Sequence, residues 1–138
     1  RRVLMAPKNE WNHIAVARHA LKLTRAGVNV TLGAHGQREG LGAHWELWSL
    51  HQGGMSPMEA LRCATLNGAK YLGFDRDIGR LEAGFLADFI VIDGNPLEDI
   101  RTTERVKTVV QNGFVYDAKT LERQWPERDA PPSLWFHQ

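Results

Sequence analysis

Residues 56–96 read SPMEALRCATLNGAKYLGFDRDIGRLEAGFLADFIVIDGNP, and the chain changes character inside this stretch. Ser56 offers a side-chain oxygen to the first free N–H groups of a helix. Pro57 occupies the first helical position, where its missing N–H costs nothing, and Glu59 closes a capping box. Leu61, Ala64, Thr65 and Ala69 carry the helix on to Gly73, a glycine placed to end it. Beyond Gly73 the helical period is lost. Gly79–Leu81 and Ala87–Asp93 read as strands, punctuated by the turn residues Glu82-Ala83-Gly84 and Gly94-Asn95-Pro96. The Ala87–Asp93 run is apolar on both faces, which predicts a strand inside a sheet and not at its edge.

Downstream, Val106–Gln111 reads as a strand, and Asn112-Gly113 joins it to Phe114–Tyr116 as a type I′ hairpin. From Ala118 onward three prolines interrupt the chain, which predicts an irregular arm packing through Trp125, Trp135 and Phe136. Upstream, residues 9–26 read as a helix capped by Asn9, with Trp11, Ile14, Ala17 and Leu21 at helical spacing and Gly27 as its stop. Val28–Leu32 fits a short buried strand. Gly33–Gly42, with four glycines, is a loop, and a second helix runs from about Ala43 to Gln52 before Gly53-Gly54. The fold class is therefore α/β, with an α/β half, a β-rich half and a boundary near residue 75. The glycine loop leaves the C-terminal end of the first strand, the end at which parallel α/β folds bind ligands.

The chain has 138 residues, 43% hydrophobic and 24% charged, the composition of a globular protein with a real core. Lys and Arg total 17 against 16 Asp and Glu, a net charge of +1, which offers no electrostatic footprint for nucleic acid or for an acidic membrane surface. No apolar run approaches the roughly 20 residues that span a bilayer. Cys63 is the single cysteine, so neither an internal disulfide nor a Cys-based zinc cluster is available. Small molecules or protein surfaces remain as partners.

The order and spacing of these motifs resemble the C-terminal portion of a metal-dependent amidohydrolase-superfamily protein of the imidazolonepropionase and prolidase kind. The residues that carry the resemblance are Ser56–Leu61, Ala64–Ala69 with Leu72-Gly73, Ile78–Gly84, Ala87–Ile100, and Val106–Val110 with Asn112-Gly113. The resemblance implies that residues 1–75 are the last part of a (β/α)8 TIM barrel, including its eighth strand. It assigns 76–117 to the companion β-sandwich and leaves 118–138 as an arm. It implies hydrolysis of an amide, a cyclic amide or a small peptide. One or two divalent metal ions, zinc above all, would be bound at the barrel mouth by a His-x-His pair, two further histidines and an Asp after the eighth strand. A whole barrel needs about 250 residues, so most of those ligands would precede this chain, which alone would be inactive. The alternative is a non-catalytic scaffold on the same fold. A barrel cut after its sixth strand leaves an open sheet edge, which predicts association as a homo-oligomer.

At the eighth strand this sequence departs from the family pattern, because Gly33-Ala34-His35 stands where Gly-Thr-Asp or Gly-Ser-Asp is usual. By register His35 takes the place of the catalytic Asp. An imidazole can ligate a metal or accept a proton, or it can simply hydrogen-bond within the loop or meet substrate. Gln37, Arg38 and Glu39 are candidates to line a substrate pocket, Arg38 being suited to a carboxylate, the alternative being a solvated loop. His44 and Glu46 open the next helix near the mouth, in a capping or surface role or, as the alternative, in contact with substrate. His13 and His19 read as surface or packing residues, and His51 as a partner of the helix C-terminus. His44 and His51 lie two turns apart, about 10 Å, too far to share one metal. Trp45 and Trp48 read as helix-face packing. Asn67, a poor helix former, is expected to bond a neighbouring loop. Cys63 is placed one residue before the buried stripe, without a base beside it.

Overall fold

The computed structural model describes residues 7, 10–35 and 38–131. Four helices, α1 (Asn12–Arg25), α2 (Leu41–Gln52), α3 (Pro57–Ala64) and α4 (Leu66–Leu72), precede four strands. These are β1 (Phe89–Ile92), β2 (Val106–Gln111), β3 (Phe114–Asp117) and β4 (Arg123–Trp125), joined in one antiparallel sheet of order β1-β2-β3-β4. A 3₁₀ turn, Ile100–Glu104, links β1 to β2.

The capping box predicted at Ser56 is formed. The Ser56 hydroxyl accepts the Glu59 N–H at 3.2 Å, and the Glu59 carboxylate accepts the Ser56 N–H at 2.7 Å. The Ser56 N–H, then the Ser56 hydroxyl and the more distant Arg25 cation, hold the Glu59 carboxyl below its ordinary value near 4.5. A lowered folded-state pKa means that this contribution is full above the ordinary glutamate range and is lost as pH falls through it. Ser56→Ala should cost about 1 kcal/mol. In urea titrations its deficit against the parent should be clear at pH 7 and narrow toward pH 3; a deficit that grows on acidification contradicts the assignment.

The long helix expected up to Gly73 breaks at Thr65 (φ −130°, ψ −95°) into α3 and α4. Thr65 turns its hydroxyl back to the Leu61 carbonyl at 2.8 Å, a bond that competes with the helical ladder. The break swings Asn67 toward the extended segment at Val30. Gly73, at φ +77°, ends α4 in the left-handed conformation that its lack of a Cβ permits.

Val28–Leu32 is extended but belongs to no ladder, which corrects the predicted strand. Its hydrogen bonds go to helices instead. Asn67 Nδ2 donates to the Val30 carbonyl at 2.8 Å, Asn29 Nδ2 donates to the Asn67 carbonyl at 3.0 Å, and the Leu32 N–H donates to the Cys63 carbonyl at 3.1 Å. A parallel strand needs lateral neighbours for its slanted bonds, and the described residues contain none.

α1 has Trp11 at its cap position without a side-chain cap bond; the expected cap, Asn9, lies outside the described residues. α1 crosses the end of α2 at Gly53, where a Cβ would fall 2.4 Å from the Ala17 Cβ and 2.5 Å from the Ala17 carbonyl carbon. Gly53 is thus a contact residue as well as a helix stop. Leu47, Leu50, Met55, Ala60, Cys63 and Ile100 form the buried core, with Leu21, Val30, Leu32 and Trp48 packed on it. Ile100 brings the 3₁₀ turn into the helical core. Trp48 reinforces the junction, its indole N–H donating to the Ile100 carbonyl and to Thr103 Oγ1, both at 3.0 Å.

In the β-rich half, Asn112 (φ +50°) and Gly113 (φ +82°) make the predicted turn between β2 and β3. Three expectations are corrected. Gly79–Leu81 is a bend, because Gly79 at φ +93° lies so close to α4 that a Cβ there would be 2.7 Å from the Ala69 Cβ. β1 is an edge strand, with Ile90 48% and Val91 44% exposed, since nothing among the described residues flanks its second side. The tail is less irregular than expected, for β4 pairs with β3 through Val115↔Trp125 and Tyr116↔Arg123. Arg123 fastens it with an ion pair to Asp129 at 3.1 Å. Trp125 is 59% exposed and does not pack as expected; Trp135 and Phe136 lie outside the described residues. No helix among the described residues is long and apolar enough to cross a membrane.

Candidate functional site

The glycine loop leaves the extended segment at Gly33 and returns at α2. Its ends are tied by one bond to α2 and by two local backbone bonds. The Gly33 N–H donates to Glu46 Oε2 at 2.9 Å, the Gly42 N–H to the Arg38 carbonyl at 2.8 Å, and the Leu41 N–H to the Glu39 carbonyl at 2.8 Å. Between these ties stands His35, exposed and at φ +58°, a conformation uncommon outside glycine. Among the described residues its ring takes no hydrogen-bond partner, so nothing there commits either nitrogen.

Arg38 borders an open cavity of about 650 Å³ between α1, α2 and the extended segment. Val16, Trp45 and Leu50 give this cavity apolar walls, while Arg38, Glu46 and His13 supply its polar groups. The structure therefore brings Arg38 and Glu46 to one space, but His35 is not among the residues lining it. Gln37 lies outside the described residues. Neither His44 nor Glu46 caps α2, whose cap is Gly40 without a side-chain bond. Glu46 instead reaches back thirteen residues to the loop, a link that no local sequence signal announces.

The remaining candidates have structural partners. His13 shares a hydrogen bond with Gln52 Oε1 at 2.9 Å, bridging α1 and α2, and His19 is bonded to the Ala15 carbonyl at 3.0 Å. His51 Nδ1 bonds the Met55 carbonyl at 2.8 Å, as expected at a helix C-terminus. Trp48 packs at the junction with Arg101 above its ring, whereas Trp45 stays 45% exposed at the cavity. Asn67 bonds the Val30 carbonyl, as its helical position suggested.

Cys63 is part of the core and not beside it: it is 1% exposed, its thiol 4.0 Å from Met55 Sδ. Burial pushes its pKa up, the opposite of what a nucleophilic thiolate requires. Iodoacetamide at pH 8 should therefore label Cys63 at least about a hundredfold more slowly in the native protein than in urea, because opening must precede reaction. Equal labelling rates by mass spectrometry would contradict its burial.

A divalent metal of the zinc type takes three or four protein ligands in a tight cluster. Among the described residues no three His, Cys, Asp or Glu side chains converge in that way. His35 offers one imidazole and stands alone, so the described residues do not by themselves fit a metal ion.

Comparison with known proteins covers most of the chain. Ochratoxinase from Aspergillus niger is 34% identical over 99 residues, 71% of this chain and 20% of the relative. Imidazolonepropionase from Rubrobacter xylanophilus is 50% identical over 40 residues, 29% of this chain and 10% of the relative. The crystal structure of a Xaa-Pro dipeptidase with bound methionine in the active site superposes with a TM-score of 0.62 at 32% identity, covering 76% of this chain and 25% of that one. The chain thus spans about a fifth to a quarter of the length of relatives matched over most of it. Residues 6–115 match the model of the amidohydrolase family, and with this match the chain belongs to that family.

Proposed function

We propose that this chain forms the C-terminal part of a hydrolase acting on carbon–nitrogen bonds in an amide, a cyclic amide or a small peptide. The observation that carries the reading is the glycine loop, held at both ends at the C-terminal end of the extended segment beside the cavity that Arg38 borders. In this reading residues 1–75 are the last portion of the barrel, and the extended segment 28–32 becomes its eighth strand once neighbouring strands flank it. Residues 76–117, and β4 beyond them, contribute to the companion sandwich. His35 faces the reacting centre as a proton-transfer group or as one ligand of a metal site, and Arg38 and Gln37 meet substrate, Arg38 through a carboxylate. The other metal ligands come from parts of the family fold that these residues do not supply, so the 138 residues alone are inactive. The amidohydrolase relatives support the reaction class, since ochratoxinase and the Xaa-Pro dipeptidase are both among them.

A second reading, an amidohydrolase-fold scaffold without catalysis, is favoured by one observation, the imidazole at His35 in place of the family's carboxylate. Metal analysis of the full-length protein, with hydrolysis assays on N-acyl amino acids, X-Pro dipeptides and cyclic amides, separates the two. Stoichiometric metal and turnover on any of these is the expected result. A metal-free protein that cleaves none of them overturns the hydrolase reading.

A further inference from the structure

Glu46 is a carboxylate on the second turn of α2 that makes no ion pair among the described residues, and one of its oxygens is committed to a backbone N–H of the glycine loop. That N–H belongs to Gly33, two residues before His35. On the other side of His35 the chain is held again, where the Arg38 carbonyl accepts the Gly42 N–H at 2.8 Å. Gly42 itself sits against the loop, an added Cβ falling 3.5 Å from the Ala34 Cβ and 3.8 Å from the Arg38 Cβ. Ala34 and His35 are therefore spanned by two anchors on one helix, and a glycine-rich backbone without them would sample many conformations. His35 also sits at φ +58°, which an unanchored L-residue rarely holds.

We propose that Glu46 is a positioning residue: its carboxylate fixes Gly33 and thereby sets where the His35 imidazole stands. The role of His35 in turnover rests on the function proposed above; the Glu46–Gly33 tie does not. Neutralising the acceptor matters less than removing it, because a glutamine keeps an oxygen of the same reach. A charge-assisted bond to a backbone N–H is stronger than a neutral one.

The test uses Glu46→Ala and Glu46→Gln in the full-length protein. Glu46→Ala should speed hydrogen exchange of the Gly33 amide by about tenfold or more, the loss of one hydrogen bond, and should shift the His35 ring resonances. Glu46→Gln should restore most of the protection and the parent's ring shifts. With any substrate that is turned over, Glu46→Ala should lower kcat by about tenfold with KM within about twofold, and Glu46→Gln should recover most of kcat. Unchanged Gly33 exchange or unchanged His35 resonances in Glu46→Ala overturns the proposal, whereas lost protection and shifted resonances with full kcat bear out the positioning by Glu46 and count against His35 in turnover. If the parent hydrolyses nothing, the hydrolase reading fails separately, and the exchange and resonance measurements still decide for or against Glu46.

Discussion

Gly53→Ala should destabilise the protein by about 3 kcal/mol, more than the same change at the other glycines of the helical half. The new Cβ would meet the Ala17 Cβ at 2.4 Å, the Ala17 carbonyl carbon at 2.5 Å and the Arg18 nitrogen at 2.8 Å. Two of these three atoms are backbone, so no side-chain rotation relieves the clash, and α1 must move away from α2 as a body. Movement would loosen Leu47 and Leu50 on the same helix, which are 4% and 7% exposed. Gly68→Ala provides the contrast. Gly68 lies within α4 and a Cβ there meets nothing within 4 Å, so alanine should stabilise by about 0.5–1 kcal/mol through helix propensity alone. Thermal or urea denaturation of both variants should give opposite signs. A Gly53→Ala protein as stable as its parent would mean that α1 and α2 do not approach as described.

The second large effect is expected on activity. His35→Ala in the full-length protein should lower kcat/KM by about 10²–10⁴-fold, the range for removal of a proton-transfer group. The substitution itself carries little folding risk, because the ring is exposed and makes no hydrogen bond among the described residues. His35→Asp installs the carboxylate that the family resemblance implies at this position, and aspartate tolerates the left-handed backbone found here. Asp should therefore retain substantially more activity than Ala. Activity of His35→Ala within about threefold of the parent would remove His35 from the reaction and leave the loop a substrate-binding or structural element.

Local chemistry was the legible part of the fold. The Ser56 capping box, the Gly73 stop, the Asn112-Gly113 turn and the strand Val106–Gln111 depend on neighbours within a few residues, and each appears as read. The misread elements depend on distant partners. Val28–Leu32 has strand composition, yet a strand is defined by what lies beside it, and here helices take its hydrogen bonds. β1 has an interior strand's apolar pattern at an edge position for the same reason. Thr65 broke a helix through a side chain that returns to the backbone, a choice that composition alone does not reveal. In the candidate site, His35 and Arg38 stood out by position in a glycine loop. Glu46 did not, because its partner is thirteen residues upstream and its own surroundings read as an ordinary helix face.

The bond from Trp48 to the Ile100 carbonyl also constrains the order in which the chain acquires structure. Its ends are 52 residues apart. The helices and the hairpins are each closed by short-range contacts, whereas this bond must close a long loop at an entropy cost of about 3–4 kcal/mol before it returns anything. Docking of the two halves through Ile100 is therefore expected late in folding. Ile100→Ala is then expected to accelerate unfolding with little effect on the folding rate, which stopped-flow folding and unfolding in urea would show.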